Sequence, residues 1–482
     1  MTNNTSDLIV AVATAHGPGG VGVVRLSGRG AKDVASALVK SPLSPRTAVF
    51  GKLHHNGELL DEGLVLWFPQ GASFTGEEVV ELQLHGSPVV LQLVVDACLE
   101  LGVEFGARIA MPGEFSQRAF LNGKMDLTQA EAVADLIASG SKAAAQAAAR
   151  SLTGVFSTKV RNLAAQLETL RVFVEAVIDF PEEEVEHLQD GEVSGRLAGL
   201  SDQINQLLAL SQRGRMLNEG MTVAFLGAPN VGKSSLLNAM SGENTAIVTD
   251  IPGTTRDIVK AQVEIQGVPV TVVDTAGVRA TDDPVEKIGV ARAEEQKDMA
   301  QIVIAMLALD MWPKQMSLSE FIQHSLSQLS LLENSEQSLA KVVVALNKID
   351  LAHELDQTQQ MALASSLTEI SAQLNVDVCG ISAHTQIGLD HLGDVLLKRV
   401  SSDQQGTQQQ EMPFTARTRH IVALQASLTA LESAAGQLTA GAPAELVAEE
   451  LRAAHQSLGE IVGETTPDDL LGRIFSEFCI GK

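Results

Sequence analysis

The chain is 482 residues long, which exceeds one compact core and predicts about three domains. Its formal net charge of −25 disfavours nucleic-acid binding through a broad basic face, because an acidic surface repels phosphate backbones. The sequence shows no membrane-span-length apolar run, no secretory leader, and only three widely separated cysteines, so it favours neither a disulfide framework nor a cysteine zinc site. These features predict a soluble, cytoplasmic protein with reduced thiols.

The first region, residues 1–124, alternates short β-like runs with turns and predicts a small mixed α/β domain. Its apolar runs are residues 8–12, 21–26, 64–68 and 79–84. The segment Gly17-Pro-Gly-Gly-Val-Gly22 formally matches the dinucleotide-binding pattern G-x-G-x-x-G. That pattern requires a helix after the glycines, whereas a β-like run follows here, so we reject a dinucleotide site.

The rest of the chain predicts an α/β domain inserted into a helical domain. Residues 125–219 carry Ala, Leu, Gln and Glu at helical spacing, which predicts long helices. Residues 220–400 contain five apolar runs separated by loops and helical stretches, which is typical of a mostly parallel sheet. Residues 401–482 begin with a polar linker and return to helical spacing. The predicted fold class is therefore α/β plus all-α. The five apolar runs of the inserted domain are residues 221–226, 268–273, 302–307, 341–346 and 376–381.

A phosphate-loop motif lies at the start of the inserted domain. Gly227-Ala-Pro-Asn-Val-Gly-Lys-Ser234 follows the apolar strand 223–226 and opens a helix. Its glycines let backbone amides turn onto the β-phosphate, Lys233 neutralises the β and γ charge, and the Ser234 hydroxyl can bind Mg²⁺. The residues predicted to bind GTP here are Asn230, Val231, Gly232, Lys233, Ser234 and Ser235.

Two later segments are expected to respond to the γ-phosphate. The loop 249–257 can close over it, with Thr255 as the second protein ligand of Mg²⁺. Asp274 ends the strand 270–273, where its carboxylate can hold a magnesium-bound water and Gly277 can offer its amide. The predicted contact residues are Thr249, Asp250, Ile251, Pro252, Gly253, Thr254, Thr255, Asp274, Thr275, Ala276 and Gly277.

A guanine-specific motif follows the strand 342–346. In Asn347-Lys-Ile-Asp350 the carboxylate of Asp350 can accept two hydrogen bonds from the guanine edge, while Asn347 and Lys348 shape the site. Adenine lacks that donor pair, so GTP is preferred. Ser382 and Ala383 follow the run 376–381, where a backbone amide can meet the guanine oxygen.

The position after Asp-x-x-Gly is Val278, where Ras-like switches carry the glutamine that orients the attacking water. The sequence also shows no obvious internal arginine finger. Hydrolysis therefore needs another cation and another way to place water, and a monovalent ion is a candidate.

Taken together, the motifs resemble the TrmE (MnmE) family of tRNA modification GTPases over nearly the full length. The segments that carry the resemblance are residues 21–28, 74–82, 112–126, 249–257 and the terminal Cys-Ile-Gly-Lys at 479–482. The resemblance implies that Asn230, Thr254 and the carbonyls of Thr249 and Ile251 hold K⁺, where an arginine finger's charge would otherwise lie. It also implies that Glu286 orients the catalytic water.

The resemblance further implies a homodimer held by N-terminal domains that bind a one-carbon folate, 5,10-methylene- or 5-formyl-tetrahydrofolate. The implied folate-binding residues are Arg25, Glu81, Lys124 and Lys482. Positive groups and a carboxylate suit a ligand with a glutamate tail and a pterin ring. At residues 15–18 this chain has Ala-His-Gly-Pro where relatives commonly carry Pro-Pro-Gly-Arg, which removes a positive charge near that site.

The implied function is a GTPase cycle that serves carbon-5 aminomethyl or carboxymethylaminomethyl modification of the tRNA wobble uridine. The implied partner is the flavoprotein MnmG (GidA), which would hold FAD and NADH in a heterotetramer with this chain. Cys479 is implied in that chemistry, and a nucleophilic role is a hypothesis whose alternative is a small apolar tail residue. The rival interpretations are a ribosome-assembly GTPase, although no basic KH-like segment is evident, and a regulatory switch without tRNA chemistry.

Overall fold

A computed structural model describes the protein over residues 7–15, 17–179, 192–241, 260–274, 300–313, 315–329, 331, 341–354, 357–400, 414–465, 468–476 and 478–481. The contacts divide the chain into two compact units. Unit 1 comprises Met1–Ile137, Ser151–Ile204 and Ala423–Lys482, and unit 2 comprises Ala138–Arg150 and Asn205–Val422. Among the helices in the described ranges, none has the length and apolar character needed to cross a bilayer.

Unit 1 begins with a mixed α/β domain built on a six-stranded sheet of order β3-β4-β5-β2-β1-β6. Alternation along β5 shows how the sheet forms its core, because Val80, Leu82 and Leu84 are buried while Glu81 and Gln83 are only half-buried. The buried side chains pack with those of α1 and α2 in one apolar cluster. The elements are β1 (Ile9–Val12), β2 (Gly19–Ser27), α1 (Ala31–Val39), β3 (Val49–His55), β4 (Glu58–Phe68), β5 (Val79–Gly86), α2 (Pro88–Leu101), β6 (Arg108–Ile109) and α3 (Glu114–Leu121).

The helical part of unit 1 comes from both flanks of the inserted domain. Helix α6 packs against α13, and each buries apolar residues at alternating spacings of four and three. In α6 these residues are Phe156, Val160, Leu163, Leu167, Leu170 and Val174. The helices are α4 (Leu127–Ala138), α5 (Lys142–Leu152), α6 (Val155–Asp179), α7 (Glu192–Glu219), α12 (Thr418–Thr439), α13 (Ala444–Val462) and α14 (Asp468–Ser476), of which most of α5, the second half of α7 and the first residues of α12 fall in unit 2.

Unit 2 is built on a second six-stranded sheet of order β12-β11-β10-β7-β9-β8. Its strands are parallel except β8, which runs antiparallel to β9. Strands β10 and β11 are buried along their whole length, as expected of a parallel sheet covered on both faces. The predicted inserted α/β fold is confirmed. The elements are β7 (Met221–Leu226), α8 (Lys233–Ser241), β8 (Lys260–Ile265), β9 (Val268–Asp274), β10 (Ile302–Ala308), α9 (Leu318–Gln328), β11 (Val342–Asn347), α10 (Gln357–Leu374), β12 (Asp377–Gly380) and α11 (Leu389–Val400).

Candidate nucleotide site

The phosphate-loop sequence lies between β7 and α8, at the carboxyl edge of the parallel strands. Gly232 has a φ of +100°, and a Cβ added there would lie 2.2 Å from the side-chain nitrogen of Asn347. Only glycine therefore fits this turn, since both the backbone conformation and the space exclude a side chain. Asn230 also has a positive φ, 64°, which asparagine tolerates better than most residues.

The polar groups of this loop suit a phosphate and its cations. Lys233 Nζ donates hydrogen bonds to the carbonyl oxygens of Gly227 at 2.7 Å and Ala228 at 3.0 Å, so the ammonium lies over the loop. The loop leads into the N-terminus of α8, where backbone amides favour an anion. Ser234 and Asn230 are exposed, and their hydroxyl and amide oxygens are hard ligands of the kind that Mg²⁺ and K⁺ accept.

Asn347 links the phosphate loop to the predicted base-binding loop. Its side chain is 3% exposed, donates from Nδ2 to the carbonyl of Val231 at 2.8 Å, and accepts from the backbone amide of Ala383 at 3.0 Å. Ser382, beside that amide, is fully buried. A single buried amide thus fixes two loops that would hold opposite ends of one nucleotide.

The remaining guanine-motif residues lie just beyond β11. Lys348 has a φ of 65° and forms an ion pair with Asp310 at 2.7 Å. Asp350 is half-buried in a short 3₁₀ turn. Sequence reasoning missed Asp310, although it follows the apolar run 302–307 at the same carboxyl edge of the sheet, and that position was the available signal.

Several predicted site residues lie outside the described residues. These are Glu286, Lys482, Thr249, Asp250, Ile251, Pro252, Gly253, Thr254, Thr255, Thr275, Ala276 and Gly277. The backbone of Asp274 ends β9, where it pairs with Phe225 of β7. The strand that carries this aspartate therefore ends beside the strand that leads into the phosphate loop.

A second polar site lies in the N-terminal domain around Arg25. Arg25 and Glu81 face each other across β2 and β5, and the guanidinium Nε donates to the carboxylate at 3.0 Å. The same guanidinium lies 5.9 Å from the ring centroid of Phe74, which is 39% exposed, and 5.6 Å from that of Phe115. Lys124 Nζ donates instead to the carbonyl of Gly71, on the loop that also carries Phe74.

The C-terminal tail lies against this second site. The guanidinium of Arg25 donates a hydrogen bond to the backbone carbonyl of Gly481 at 3.3 Å. Phe478 is buried, whereas Cys479 is exposed and its carbonyl accepts from the amide of Gly113 at 3.4 Å. The structure thus brings Arg25, Glu81 and the tail together. Sequence reasoning missed Phe74 and Phe115 as residues of this site. Their presence in the segments 74–82 and 112–126, which carry the family resemblance, could have indicated them.

A buried ion network supports the loop beside Arg25. Arg118, 5% exposed at its side chain, donates to Asp7, Glu77 and Glu114 at 2.9 to 3.1 Å. Burial raises the pKa of the Asp7 and Glu114 carboxyls, but hydrogen bonds and charge from Arg108 and Arg118 outweigh it, so both pKa values lie below their ordinary values. The network therefore favours the ionised forms of the Asp7 and Glu114 carboxyls.

The phosphate loop and the guanine motif lie at the ends of parallel strands of the same sheet. Together with the fold, they define the class of protein as a P-loop GTPase, a GTP hydrolase. Residues 127–479 match the family described as MnmE helical domain, and residues 8–124 match the GTP-binding protein TrmE N-terminus. The chain belongs to the MnmE family of tRNA modification GTPases. The predicted family, fold class and GTP hydrolase activity are thereby confirmed.

Full-length relatives support that membership. The chain is 46% identical over 484 residues to a tRNA modification GTPase MnmE of Hydrogenovibrio crunogenus, covering 100% of both chains. It is 47% identical over 487 residues to one from Pseudomonas aeruginosa strain UCBPP-PA14, covering 99% of each. It also matches the solved G domain of the T. maritima FeoB iron transporter, with 27% identity over 37% of this chain and 98% of that chain and a TM-score of 0.26.

Proposed function

We propose that this chain is a K⁺-dependent GTP hydrolase that acts in the cytoplasm on tRNA, in carbon-5 (carboxymethyl)aminomethyl modification of the wobble uridine. The observation that carries the proposal is the Asn347 bridge, which joins the phosphate loop to the amide of Ala383. It supports one nucleotide bound across both loops. Family membership supports the connection to tRNA.

Asn230 supports the potassium dependence. Its exposed side-chain amide lies on the phosphate loop, next to the buried Val231 and ahead of Gly232 and Lys233. A monovalent cation held there would stabilise the negative charge that grows on the phosphates during hydrolysis. In this proposal Thr254 and the carbonyls of Thr249 and Ile251 complete the K⁺ site, Ser234 and Thr255 hold Mg²⁺, and Glu286 orients water.

GTP turnover in KCl and in NaCl at matched ionic strength tests this role. The parent should turn over faster in KCl, and Asn230→Ala should lower kcat in KCl by about 100-fold, the scale for losing one electrostatic contact to the transition state. Asn205→Ala, which removes an exposed asparagine from α7, is the matched control and should behave like the parent. Equal turnover of the parent in both salts would contradict the potassium dependence.

The Arg25 site supports a one-carbon folate as the second ligand. A guanidinium beside an exposed phenylalanine suits a molecule that combines a planar ring with carboxylates. We propose 5,10-methylene- or 5-formyl-tetrahydrofolate, bound by Arg25, Glu81, Lys124 and Lys482 in a homodimer. Calorimetry with 5-formyl-tetrahydrofolate tests the site, and undiminished binding by Arg25→Met would contradict it.

We propose a heterotetramer with the flavoprotein MnmG, which supplies FAD and NADH, and a role for Cys479 at the exposed tail beside the Arg25 site. Nucleoside analysis of tRNA from a deletion strain tests the pathway, and Cys479→Ser expressed in that strain tests the thiol. Unmodified wobble uridine in the deletion strain supports the proposal, and a normal nucleoside profile would favour a GTPase without tRNA chemistry.

A further inference from the structure

Helix α5 packs into the core of the GTPase sheet although the chain on both sides of it belongs to the helical domain. Ala147 is 1% exposed and lies in the same apolar cluster as Val270 and Val272 of β9. Ala143, one turn earlier, packs against that cluster. The contacts accordingly place residues 138–150 in unit 2, whereas the flanking residues up to 137 and from 151 to 204 lie in unit 1.

The N-terminus of α5 contacts the turn of the β8–β9 hairpin. Ser141 donates from Oγ to the carbonyl of Gly267 at 2.6 Å, and the same oxygen accepts from the amide of Ala144 at 3.1 Å. A Cβ added at Gly267 would lie 2.9 Å from that of Ala143, so the two backbones approach closely. On the other side of the turn, Gln266 donates to Asp394 of α11 at 2.9 Å. The hairpin turn is therefore held on two sides.

The opposite end of this hairpin leads to both segments that the sequence assigns to the γ-phosphate. Strand β8 begins three residues after the motif 249–257, and β9 ends at Asp274, where the second motif starts. The two strands pair over their full length, from Lys260 with Val273 to Ile265 with Val268. Six paired residues span about 20 Å. The hairpin, whose strand β9 also pairs with β7, thus joins the sheet edge where these two segments begin and end to the turn that contacts α5.

We propose that α5 is the element through which the nucleotide state reaches the helical domain, and that Ser141 is the positioning residue that couples it to the hairpin. The proposal rests on the proposed GTPase cycle. A displacement of either γ-phosphate segment moves the hairpin, and the Ser141 hydrogen bond passes that movement to α5. Short connections, residues 139–141 and 153–154, continue from α5 into α4 and α6. Coupling of this kind acts in both directions, so a change at α5 also alters nucleotide binding.

Three variants isolate the hydrogen bond from the stability of the helix. Ser141→Asp keeps an oxygen that caps the Ala144 amide at a helix N-terminus, where a negative charge is favourable, but it has no proton to donate to Gly267. Ser141→Thr keeps both hydrogen bonds. Lys142→Ala changes the next residue, which is exposed, and serves as the matched control.

Hydrogen exchange of the full-length protein, with GDP and with a non-hydrolysable imido analogue of GTP in KCl and MgCl₂, provides the measurement. In the parent, Ser141→Thr and Lys142→Ala, we expect exchange in α5 to differ by about threefold to tenfold between the two nucleotides, the scale of one buried hydrogen bond. In Ser141→Asp that difference should disappear, while protection of residues 233–241 by either nucleotide persists. Ser141→Asp should also change the kcat of GTP hydrolysis more than the KM.

Three outcomes would overturn the proposal, and they distinguish its failure from failure of the proposed function. If nucleotide protects residues 233–241 of the parent but α5 exchanges equally in both states, or if Ser141→Asp retains the nucleotide-dependent difference, the coupling is wrong and the GTPase function stands. If nucleotide protects nothing in the parent, the proposed function and this inference fail together.

Discussion

Replacing Asn347 by alanine should weaken guanine-nucleotide binding without removing any residue proposed to contact the nucleotide's phosphates. The substitution deletes two buried hydrogen bonds, to the carbonyl of Val231 and from the amide of Ala383. Each lost bond leaves a buried backbone group without that partner, at a cost of about 1 to 3 kcal/mol. Because both loops must be in place at once to hold one nucleotide, we expect about 2 to 3 kcal/mol to appear as lost affinity, which is about 30-fold to 150-fold in Kd.

Titration with a fluorescent GDP derivative measures this loss of affinity. The variant Asn347→Asp separates the contributions of the two hydrogen bonds. The aspartate keeps an acceptor for the amide of Ala383 but places an oxygen against the carbonyl of Val231, so only the link to the phosphate loop is lost. We expect Asn347→Asp to weaken binding at least as much as the loss of one hydrogen bond. Affinity equal to that of the parent in a folded Asn347→Ala protein would refute the idea that this side chain couples the two loops.

Three further predictions concern unit 1. Arg118→Met should destabilise the N-terminal domain by about 1.5 to 3 kcal/mol, because it removes the cation that Asp7, Glu77 and Glu114 share, while Asp7 and Glu114 keep Arg108. Urea unfolding followed by hydrogen exchange should show the loss in residues 71–77. The pKa values of Asp7 and Glu114 lie below their ordinary values of 3.8 and 4.5, so the ionised carboxylates stabilise the fold fully when the pH is above those ordinary values. This stability should be lost as the pH falls below 4.5 and through the lowered pKa values. A free energy of unfolding that stays constant from about pH 6 to about pH 3 would contradict the network. Gly481→Ala should release the tail, because Gly481 has a φ of 92° and a Cβ would lie 2.3 Å from the carbonyl of Val12; carboxypeptidase should then remove the last residues faster than in the parent.

The strands that the sequence missed are all edge strands, although not every edge strand was missed, since the run 376–381 predicted the edge strand β12. The apolar runs 302–307 and 341–346 became the interior strands β10 and β11, which are buried throughout and apolar at every position except Asn347. The missed strands β3, β6 and β8 lie at sheet edges. Strand β8 alternates Lys, Gln and Glu with Ala, Val and Ile, which is the period-two pattern of a half-buried strand, so a prediction based on continuous apolar runs passes over it.

The candidate site divides in a similar way. Motif residues that act through the backbone conformation, such as Gly232, were predictable because a turn of positive φ needs glycine wherever it occurs. The role of Asn347 as a bridge was not predictable, because its partners Val231 and Ala383 are 116 and 36 residues away in sequence. The hydrogen bond from Ser141 to Gly267 was not predictable either, because only the packing of α5 on the hairpin reveals it.

The residues on either side of the inserted domain, 214–219 and 414–418, contact each other, and this has a consequence for engineering. Glu219, the last residue of α7, accepts hydrogen bonds from the amide and hydroxyl of Thr418, and Gly214 lies directly against the carbonyl of Phe414. Removing residues 220–417 therefore leaves two stubs that already touch, so a short splice would rejoin them. A foreign domain with adjacent ends could be grafted in place of residues 220–417 if it also covers Ala147 of α5 and Met216 and Leu217 of α7, which are buried in the core of the GTPase sheet.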